Sequence, residues 1–170
     1  MDDVKWMIAR QIPQLRRYAL ALTGSRDRAD DLVQDCLERA LRKRHLWTRR
    51  GSIRNWLLRL LQRSHVDQHR RRPRLEVEAT TEVIDGAIAH PPDQERRAEC
   101  RTIVEALDRL PEEQRAVILL VALEGCNYDE AAEILEVPIG TVRSRLSRGR
   151  QSLRELRAAP PEWPALRRVK

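Results

Sequence analysis

The amino-acid sequence predicts an all-α protein that consists of two small helical domains. Apolar residues recur at helical spacing through most of the 170-residue chain, and no stretch shows the alternation that is typical of a strand. The segment "PRLEVEATTEVIDGAIAHPPD" has three prolines, many acids and no sustained period, so it interrupts the helical pattern. We therefore expect a domain over 1–73, a flexible acidic linker over 74–93, a second domain over 94–157 and a tail over 158–170.

The first domain is predicted to contain three helices. The apolar period runs over three segments, which are 4–22, 30–44 and 53–72. Pro13 is a candidate break within the first of them, because proline removes a helical hydrogen bond. Before the second helix, "TGSRDRADD" supplies a glycine turn and then Ser25 or Asp27 as the N-cap. The apolar faces of the three helices are expected to form one bundle.

The second domain is predicted to end in a helix-turn-helix. It begins with a helical pattern over about 94–109 and continues with "LPEEQRAVILLVALEG", a helix that ends at Gly125. The segment "NYDEAAEILEVPIGTVRSRLSRGR" then has the pattern of a helix, a short turn and a second helix. Asn127 is placed to cap the first of these, and Glu130, three residues later, completes a capping-box pattern.

The second helix of this motif has two chemically different faces. At about 100° per residue, its inner face carries Val142, Leu146, Gly149 and Leu153, and the glycine allows another helix to approach closely. The outer face is polar and is formed by Arg143, Ser144, Ser147, Arg148 and Gln151. Arginine forks onto guanine or holds phosphates, and serine is too short to crowd the groove floor. This face is typical of a recognition helix in the DNA major groove, although a solvated amphipathic helix has a similar pattern.

The charge of the chain is positive and unevenly distributed. With 33 Lys/Arg and 26 Asp/Glu the net charge is +7. The basic segments are 1–73, with 18 Lys/Arg and 8 Asp/Glu (+10), and 137–170, with 9 and 2 (+7). The acidic segments are 74–100, with 3 and 7 (−4), and 101–136, with 3 and 9 (−6). Two arginine-rich segments separated by acidic ones indicate two faces that bind a polyanion.

Several classes of protein are not indicated. The chain has no run of about 18 apolar residues, and "MDDVKWMIARQIPQL" lacks the apolar core of a signal peptide, so we expect a cytoplasmic protein without membrane insertion. Cys36, Cys100 and Cys126 form no CxxC pair and are expected to be reduced, buried thiols. Because no nucleophile constellation or phosphate loop is present, neither an enzyme nor a cofactor is predicted.

Two histidines and two pairs of acids need separate interpretation. His65 and His69 are four residues apart, a spacing at which imidazoles can bind a metal ion. No third ligand is evident and the helix is expected to face DNA, so no metal site is predicted. The acidic pairs Asp30–Asp31 and Glu112–Glu113 stand at helix starts, where they favour the helix dipole, so they are not predicted to be catalytic.

Three segments together resemble the extracytoplasmic-function group of bacterial RNA polymerase sigma factors, over roughly 5–72 and 95–157. "DRADDLVQDCLERAL" resembles the helix by which that family binds core polymerase, and "SIRNWLLRLLQRSHVDQHRRR" resembles its −10 element helix. "LDRLPEEQRAVILLVALEGCNYDEAAEILEVPIGTVRSRLSRGRQSL" is similar to its −35 element domain, and the start of this run also resembles the general-stress-response subgroup. The resemblance implies domains equivalent to sigma regions 2 and 4.

The resemblance also assigns residues to three surfaces. Expected to contact the coiled coil of the largest polymerase subunit are Asp31, Gln34, Asp35 and Glu38. Expected at the −10 element are loop residues Thr48, Arg49, Arg50 and Ser52, which correspond to a base-capturing loop, and helix residues Arg59, Gln62, Arg63 and His69. Expected at the −35 element are Thr141, Arg143, Ser144, Ser147 and Arg148. The family usually has Asn at the position of Arg63 and a small residue at that of His65, so its base preference is not carried over.

The function implied by the resemblance is that of a sigma factor. Such a protein binds core RNA polymerase, including the flap of the second subunit, and directs initiation at promoters through −10 and −35 elements. The resemblance also implies an anti-sigma factor that masks the polymerase-binding faces. The alternatives are a stand-alone helix-turn-helix regulator, for which no dimerisation helix is evident, and a sigma-mimicking decoy, against which the arginine face over 143–148 argues.

Overall fold

A computed structural model describes residues 3–47, 51–71 and 103–158 of the chain. The helices of this part are α1 (Asp3–Thr23), α2 (Arg26–Lys43), α3 (Ile53–Arg71), α4 (103–108), α5 (Glu112–Ile118), α6 (Tyr128–Leu135) and α7 (Ile139–Ala158). A 3₁₀ turn, Arg44–Leu46, follows α2, and a π-helical turn, Leu119–Leu123, extends α5. The described residues contain no strand, which confirms the all-α prediction. Outside the described residues lie Thr48, Arg49, Arg50, the predicted linker, Cys100 and residues 159–170.

Pro13 does not divide the first helix. α1 continues through it from Asp3 to Thr23, although a proline in a helix interior costs roughly 3 kcal/mol. The proline ring is exposed, whereas Ile8 and Leu15 on either side of it are almost completely buried. Burial of the same apolar face before and after Pro13 therefore outweighs the lost hydrogen bond, which explains why the candidate break is absent.

The turn between α1 and α2 agrees with the predicted signals. Gly24 has a φ of +66°, a left-handed conformation that glycine adopts without strain. Ser25 is the N-cap of α2, and its side chain makes no capping hydrogen bond. The turn is stabilised instead by Thr23, whose hydroxyl donates to the carbonyl of Ala19 at 2.9 Å, and by Arg28, which donates to the carbonyl of Thr23 at 2.6 Å.

The three helices α1–α3, here called the first module, pack around a shared aliphatic core. Its fully buried side chains include Tyr18, Leu32, Cys36, Leu57 and Leu61. The Cys36 thiol donates to the carbonyl of Leu57 at 3.5 Å, and burial raises its pKa to about 12. Cys36 is therefore a thiol at neutral pH, as expected for a buried cysteine. Cys126 in the rest of the chain is also buried and free.

The helices α4–α7, here called the second module, include one close contact between helices. At Gly149 of α7, a β-carbon would lie 2.6 Å from Cδ1 of Ile118 and 3.3 Å from Cβ of Gln114, both on α5. The absence of a side chain therefore allows α5 and α7 to approach, which confirms the inner position predicted for this glycine. Val142 and Leu146 on the same side of α7 are buried as predicted.

Gly149→Val is expected to destabilise the second module by about 1–3 kcal/mol, because the branched side chain overpacks the contact with Ile118. Gly140→Val is the matched control, since a β-carbon at Gly140 meets no atom within 4 Å. Urea denaturation followed by circular dichroism measures both changes. Equal loss of stability in the two variants would show that the contact with α5 does not determine the effect, since helix propensity alone favours valine over glycine.

The two modules pack against each other. α3 contacts α6, and α1 contacts both α5 and the π-helical turn. Buried apolar residues of both modules belong to one continuous cluster. Arg115 of α5 also reaches across, donating to the carbonyl of Leu22 at 3.1 Å. We call this contact region the interdomain junction. It brings the basic first module against the acidic part of the second.

Candidate functional site

The helix-turn-helix forms as the sequence predicted. The side-chain oxygen of Asn127 accepts from the backbone N–H of Glu130, and the carboxylate of Glu130 accepts from the backbone N–H of Asn127, each at 2.9 Å. This capping box begins α6. α6 ends at Glu136, which has a left-handed φ of 56° and turns the chain towards Pro138 and α7.

The outer face of α7 is open to solvent. Arg143, Ser147 and Arg148 are exposed, whereas Ser144 is half-buried and donates from its hydroxyl to the carbonyl of Thr141 at 3.0 Å. Within the described chain, neither Arg143 nor Arg148 forms an ion pair, so their guanidinium groups are available to a ligand. Arg145 differs from them, because it pairs with Glu113 of α5 at 2.8 Å.

The polar edge of α2 is also accessible. Asp31, Gln34 and Glu38 are exposed, and Gln34 donates to Glu38 at 3.3 Å. Asp35 is partly buried and pairs with Arg39 at 3.2 Å, so it orients that arginine as well as bordering the edge. Leu41, one turn beyond Glu38, is 39% exposed although it belongs to the apolar pattern over 30–44.

The outward face of α3 is occupied by acids of the second module. Arg59 lies 3.8 Å from Glu133, and Arg63 donates through both its Nε, at 2.7 Å, and its Nη2 to the carboxylate of Glu136. Asn55 donates to Glu130 at 3.0 Å. The hydrogen bonds from Arg63 lower the pKa of Glu136. The three glutamates form a row at three-residue intervals, which we call the α6 acidic row.

The outward position predicted for Gln62 is wrong. Gln62 is 5% exposed, and its amide donates to the hydroxyl of Tyr18 inside the first module. The buried hydroxyl of Tyr18 needs a polar partner, and Gln62 supplies it. Ser52 is exposed and also caps α3, because its hydroxyl accepts from the backbone N–H of Asn55 at 3.4 Å.

A buried carboxylate anchors the interdomain junction. The side chain of Glu124, in the second module, is fully buried. It accepts hydrogen bonds from Gln14, from Arg17 at 3.1 Å and from Arg54 at 3.3 Å, all in the first module. Arg54 also donates to the backbone carbonyl of Glu124. Since buried charges are stable only when they are paired, Glu124 fixes how α1 and α3 meet the π-helical turn.

His65 and His69 of α3 lie against Glu112 of α5. Nε2 of His65 is 2.8 Å from Oε1 of Glu112, and Nε2 of His69 is 3.1 Å from Oε2 of the same carboxylate. The hydrogen bond from His65 lowers the pKa of Glu112. His65 is almost completely buried, whereas His69 is more than half exposed. The carboxylate that sequence reasoning did not pair with these histidines thus comes from the other module.

Sequence reasoning missed the acids that cover α3. The α6 acidic row, Glu112 and Glu124 all fall in the segment 101–136, whose net charge of −6 follows from 3 Lys/Arg and 9 Asp/Glu. That charge was the available signal, since a strongly acidic segment complements the +10 of residues 1–73. No helix in the described residues is long and apolar enough to cross a membrane.

Comparisons with known proteins agree with the fold. A family model described as the Sigma2 domain of PhyR matches residues 8–62, and one described as Sigma-70, region 4 matches residues 100–153. The ECF RNA polymerase sigma factor EcfG of Rhodopseudomonas palustris is 35% identical over 155 residues, which cover 91% of this chain and 85% of the relative. The ECF RNA polymerase sigma factor SigE of Mycolicibacterium smegmatis is 35% identical over 153 residues, which cover 88% of this chain and 59% of the relative.

A solved structure extends the match to the fold. The sigma factor RpoE of Bartonella quintana, in a co-crystal with the anti-sigma factor NepR, superposes with a TM-score of 0.74 at 32% sequence identity. The superposition covers 92% of this chain and 97% of that one. Because both sigma domains are present in order and the identity extends over most of the chain, the protein belongs to the ECF group of RNA polymerase sigma factors.

Proposed function

We propose that this sigma factor binds core RNA polymerase through the edge of α2 and directs it to promoters, with α3 at the −10 element and α7 at the −35 element. The observation that carries the proposal is the exposed face of α7, where Arg143 and Arg148 have no ionic partner in the described chain. A recognition helix presents such side chains to base edges and phosphates. The protein is proposed to act in the bacterial cytoplasm, and none of its residues is assigned a catalytic role.

The two proposed DNA-binding faces differ in whether the second module covers them before DNA binds. α7 is uncovered, whereas Arg59 and Arg63 of α3 are engaged by Glu133 and Glu136. Binding of α3 to a −10 element therefore requires the second module to move away, so that phosphates or bases replace the glutamates. Thr48, Arg49, Arg50 and Ser52 remain the proposed loop for an unpaired base, whose release from the stack costs a few kcal/mol.

The −10 surface is proposed without Gln62. Its buried amide holds the hydroxyl of Tyr18, so it supports α3 from inside the module. His69 stays in the proposed surface, because its side chain is more than half exposed beside the engaged carboxylate. Arg59 and Arg63 then supply the positive charge of this face.

Run-off transcription tests the proposed function. Core polymerase with this protein should produce defined transcripts from the promoter region upstream of its own coding sequence, and core polymerase alone should not. Transcripts that are independent of the protein would contradict the proposal. If the protein retarded promoter DNA without core enzyme and gave no transcript, the stand-alone regulator would be supported instead.

A sigma-like decoy is the second candidate, because the family model that matches residues 8–62 is described as the Sigma2 domain of PhyR. A decoy would need the docking faces of a sigma factor, but it would not need to contact DNA. The unpaired arginines of α7 favour the DNA-binding protein. In the transcription assay, a decoy would give no transcript with core polymerase alone.

An anti-sigma factor is proposed as the regulatory partner. The similar sigma factor of Bartonella quintana is bound to the anti-sigma factor NepR in its structure. On this chain the exposed edge of α2, with Leu41 beside Glu38, supplies a surface for which an anti-sigma factor and polymerase would compete.

Gln34→Ala combined with Glu38→Ala is expected to reduce co-purification with core polymerase about tenfold or more, because both side chains are exposed at the proposed contact and hot-spot losses are about 2 kcal/mol or more. Helical content should not change, since neither residue is buried. Lys43→Ala is the control, because Lys43 is exposed on the other side of α2. Undiminished binding of the double variant would contradict the assignment of this edge.

A further inference from the structure

We propose that His65, His69 and Glu112 form a binding site for a divalent first-row transition cation, with Zn²⁺ as the reference ion, at the interdomain junction. The inference does not depend on the transcriptional role of the protein. It rests on three ligand groups that converge from two modules, on their distances and on their exposure.

The two imidazoles come from one face of one helix. His65 and His69 are separated by four residues in α3, and their ring centroids are 5.6 Å apart. This is the spacing at which a helix presents two histidines to one zinc ion. Their Nε2 atoms point to the same carboxylate, so the ligand set has a common centre and not merely a common helix face.

The third ligand is close to its coordinating position. The three ligand atoms lie within 4.8 Å of one another. Zinc bonds to nitrogen and oxygen are about 2.0–2.1 Å long, so a tetrahedral ion needs ligand atoms about 3.3 Å apart. The distances from Glu112 to His65 and His69, 2.8 and 3.1 Å, require only a small separation to admit the ion.

The environment allows an ion to enter and leaves room for a water ligand. The side chain of His65 is 9% exposed, whereas those of Glu112 and His69 are 32% and 56% exposed, so the cluster is closed on one side and open on the other. Arg115 is the nearby cation, and its charge is balanced by Asp108 at 3.4 Å. Two protein nitrogens, one carboxylate and an open position are a donor set that zinc accepts.

The chemistry of the ligands selects the class of ion. Imidazole suits Zn²⁺, Co²⁺, Ni²⁺ and Cu²⁺, whereas Ca²⁺ and Mg²⁺ prefer oxygen ligands alone. Thiolates do not contribute, because the described cysteines Cys36 and Cys126 are buried elsewhere and burial raises the pKa of each. The site is therefore distinct from a cysteine-based zinc site.

Metal binding at this site is coupled to the packing of the modules. His65 and His69 belong to α3 and Glu112 to α5, so the complete ligand set exists only while the interdomain junction is formed. An ion that binds only the closed arrangement stabilises it by mass action. By the same linkage, opening the junction weakens the affinity for the ion.

The test uses the full chain after removal of metal with a chelator. Zn²⁺ is titrated by calorimetry, and Co²⁺ is titrated by its visible absorption, which reports coordination by nitrogen and oxygen. The expected result is a single ion per chain. His69→Ala and Glu112→Gln are each expected to weaken binding about tenfold or more, since even the loss of groups around the ligands has effects of this size. His45→Ala, at an exposed histidine, is the control and should bind as the unaltered chain does.

The variants distinguish an interdomain site from other outcomes. Circular dichroism of each variant checks folding, and the two altered side chains are partly exposed, so loss of fold is not expected. Unchanged affinity in Glu112→Gln would overturn the proposal, because the ion would then bind α3 alone. Binding no tighter in the unaltered chain than in His69→Ala would also overturn it. Small-angle scattering measures the radius of gyration with and without Zn²⁺. A radius that decreases with Zn²⁺ in the unaltered chain, and not in Glu112→Gln, would support the coupling to the junction.

Discussion

Glu124→Gln is expected to weaken the interdomain junction by about 2–3 kcal/mol. Loss of one partner of a buried charge pair costs roughly 3–5 kcal/mol, because the remaining charge stays desolvated. The lower value applies here since the side chains of Arg17 and Arg54 are 38% and 24% exposed, so water reaches them once the carboxylate is gone. Small-angle scattering should show a larger radius of gyration, and hydrogen exchange in α6 should become faster.

Glu133→Gln is the matched control for this change. Glu133 is 68% exposed and lies 3.8 Å from Arg59, so this pair resembles an exposed surface ion pair and is expected to contribute less than about 0.5 kcal/mol. If Glu124→Gln and Glu133→Gln had the same small effect on scattering and hydrogen exchange, the buried carboxylate would not be the anchor of the junction. An effect confined to Glu124→Gln would support the described packing.

Arg143→Ala and Arg148→Ala are each expected to cost about 1–3 kcal/mol of promoter recognition if the arginine forks onto a base. The preference at one position of the −35 element should then relax, because the discriminating donor pair is lost. Both side chains are exposed and free of ion pairs within the described chain, so no internal contact is broken by the change. Transcription from a panel of −35 mutant promoters measures the loss at each position.

The pattern of loss across the panel identifies the contact. A loss that is uniform over all promoters would indicate phosphate binding, since the backbone carries no base identity. Arg145→Ala is the informative control, because Arg145 pairs with Glu113 and faces α5. It should alter stability slightly and leave base preference unchanged. If both Arg143→Ala and Arg148→Ala matched the unaltered protein on every template, α7 would not touch the −35 element.

The helices and the helix-turn-helix were predictable because their signals are local. The capping box of Asn127 and Glu130, the inner face of α7 and the glycine turn before α2 each involve residues within about eleven positions of one another. Their geometry follows from helical spacing and backbone chemistry. The prediction that Gln62 points outward failed because helical spacing predicts only the direction of a side chain. It does not identify the hydrogen-bond partner, Tyr18, which is on another helix.

The packing of one module on the other was not predictable by the same means. Arg63 and Glu136 are 73 residues apart, and the histidine cluster joins α3 to a carboxylate on α5. Nothing in the local pattern of either segment specifies these pairs. Only the opposite net charges of 1–73 and 101–136 indicated that the segments attract each other. Net charge indicates that two segments attract each other, but it does not specify which residues pair.

If α3 binds the −10 element as proposed, the α6 acidic row alters the ionic balance of that binding. A free arginine that neutralises a phosphate releases condensed counterions, and the affinity then falls with salt by nearly one power of concentration per contact. In the proposed complex, Arg59 and Arg63 would instead exchange a glutamate for a phosphate, and the released glutamates would recover small cations from the solution. The net release of ions is therefore smaller than the number of contacts on α3. Recognition through α3 should consequently be less sensitive to the ionic strength of the cell than recognition through the uncovered α7.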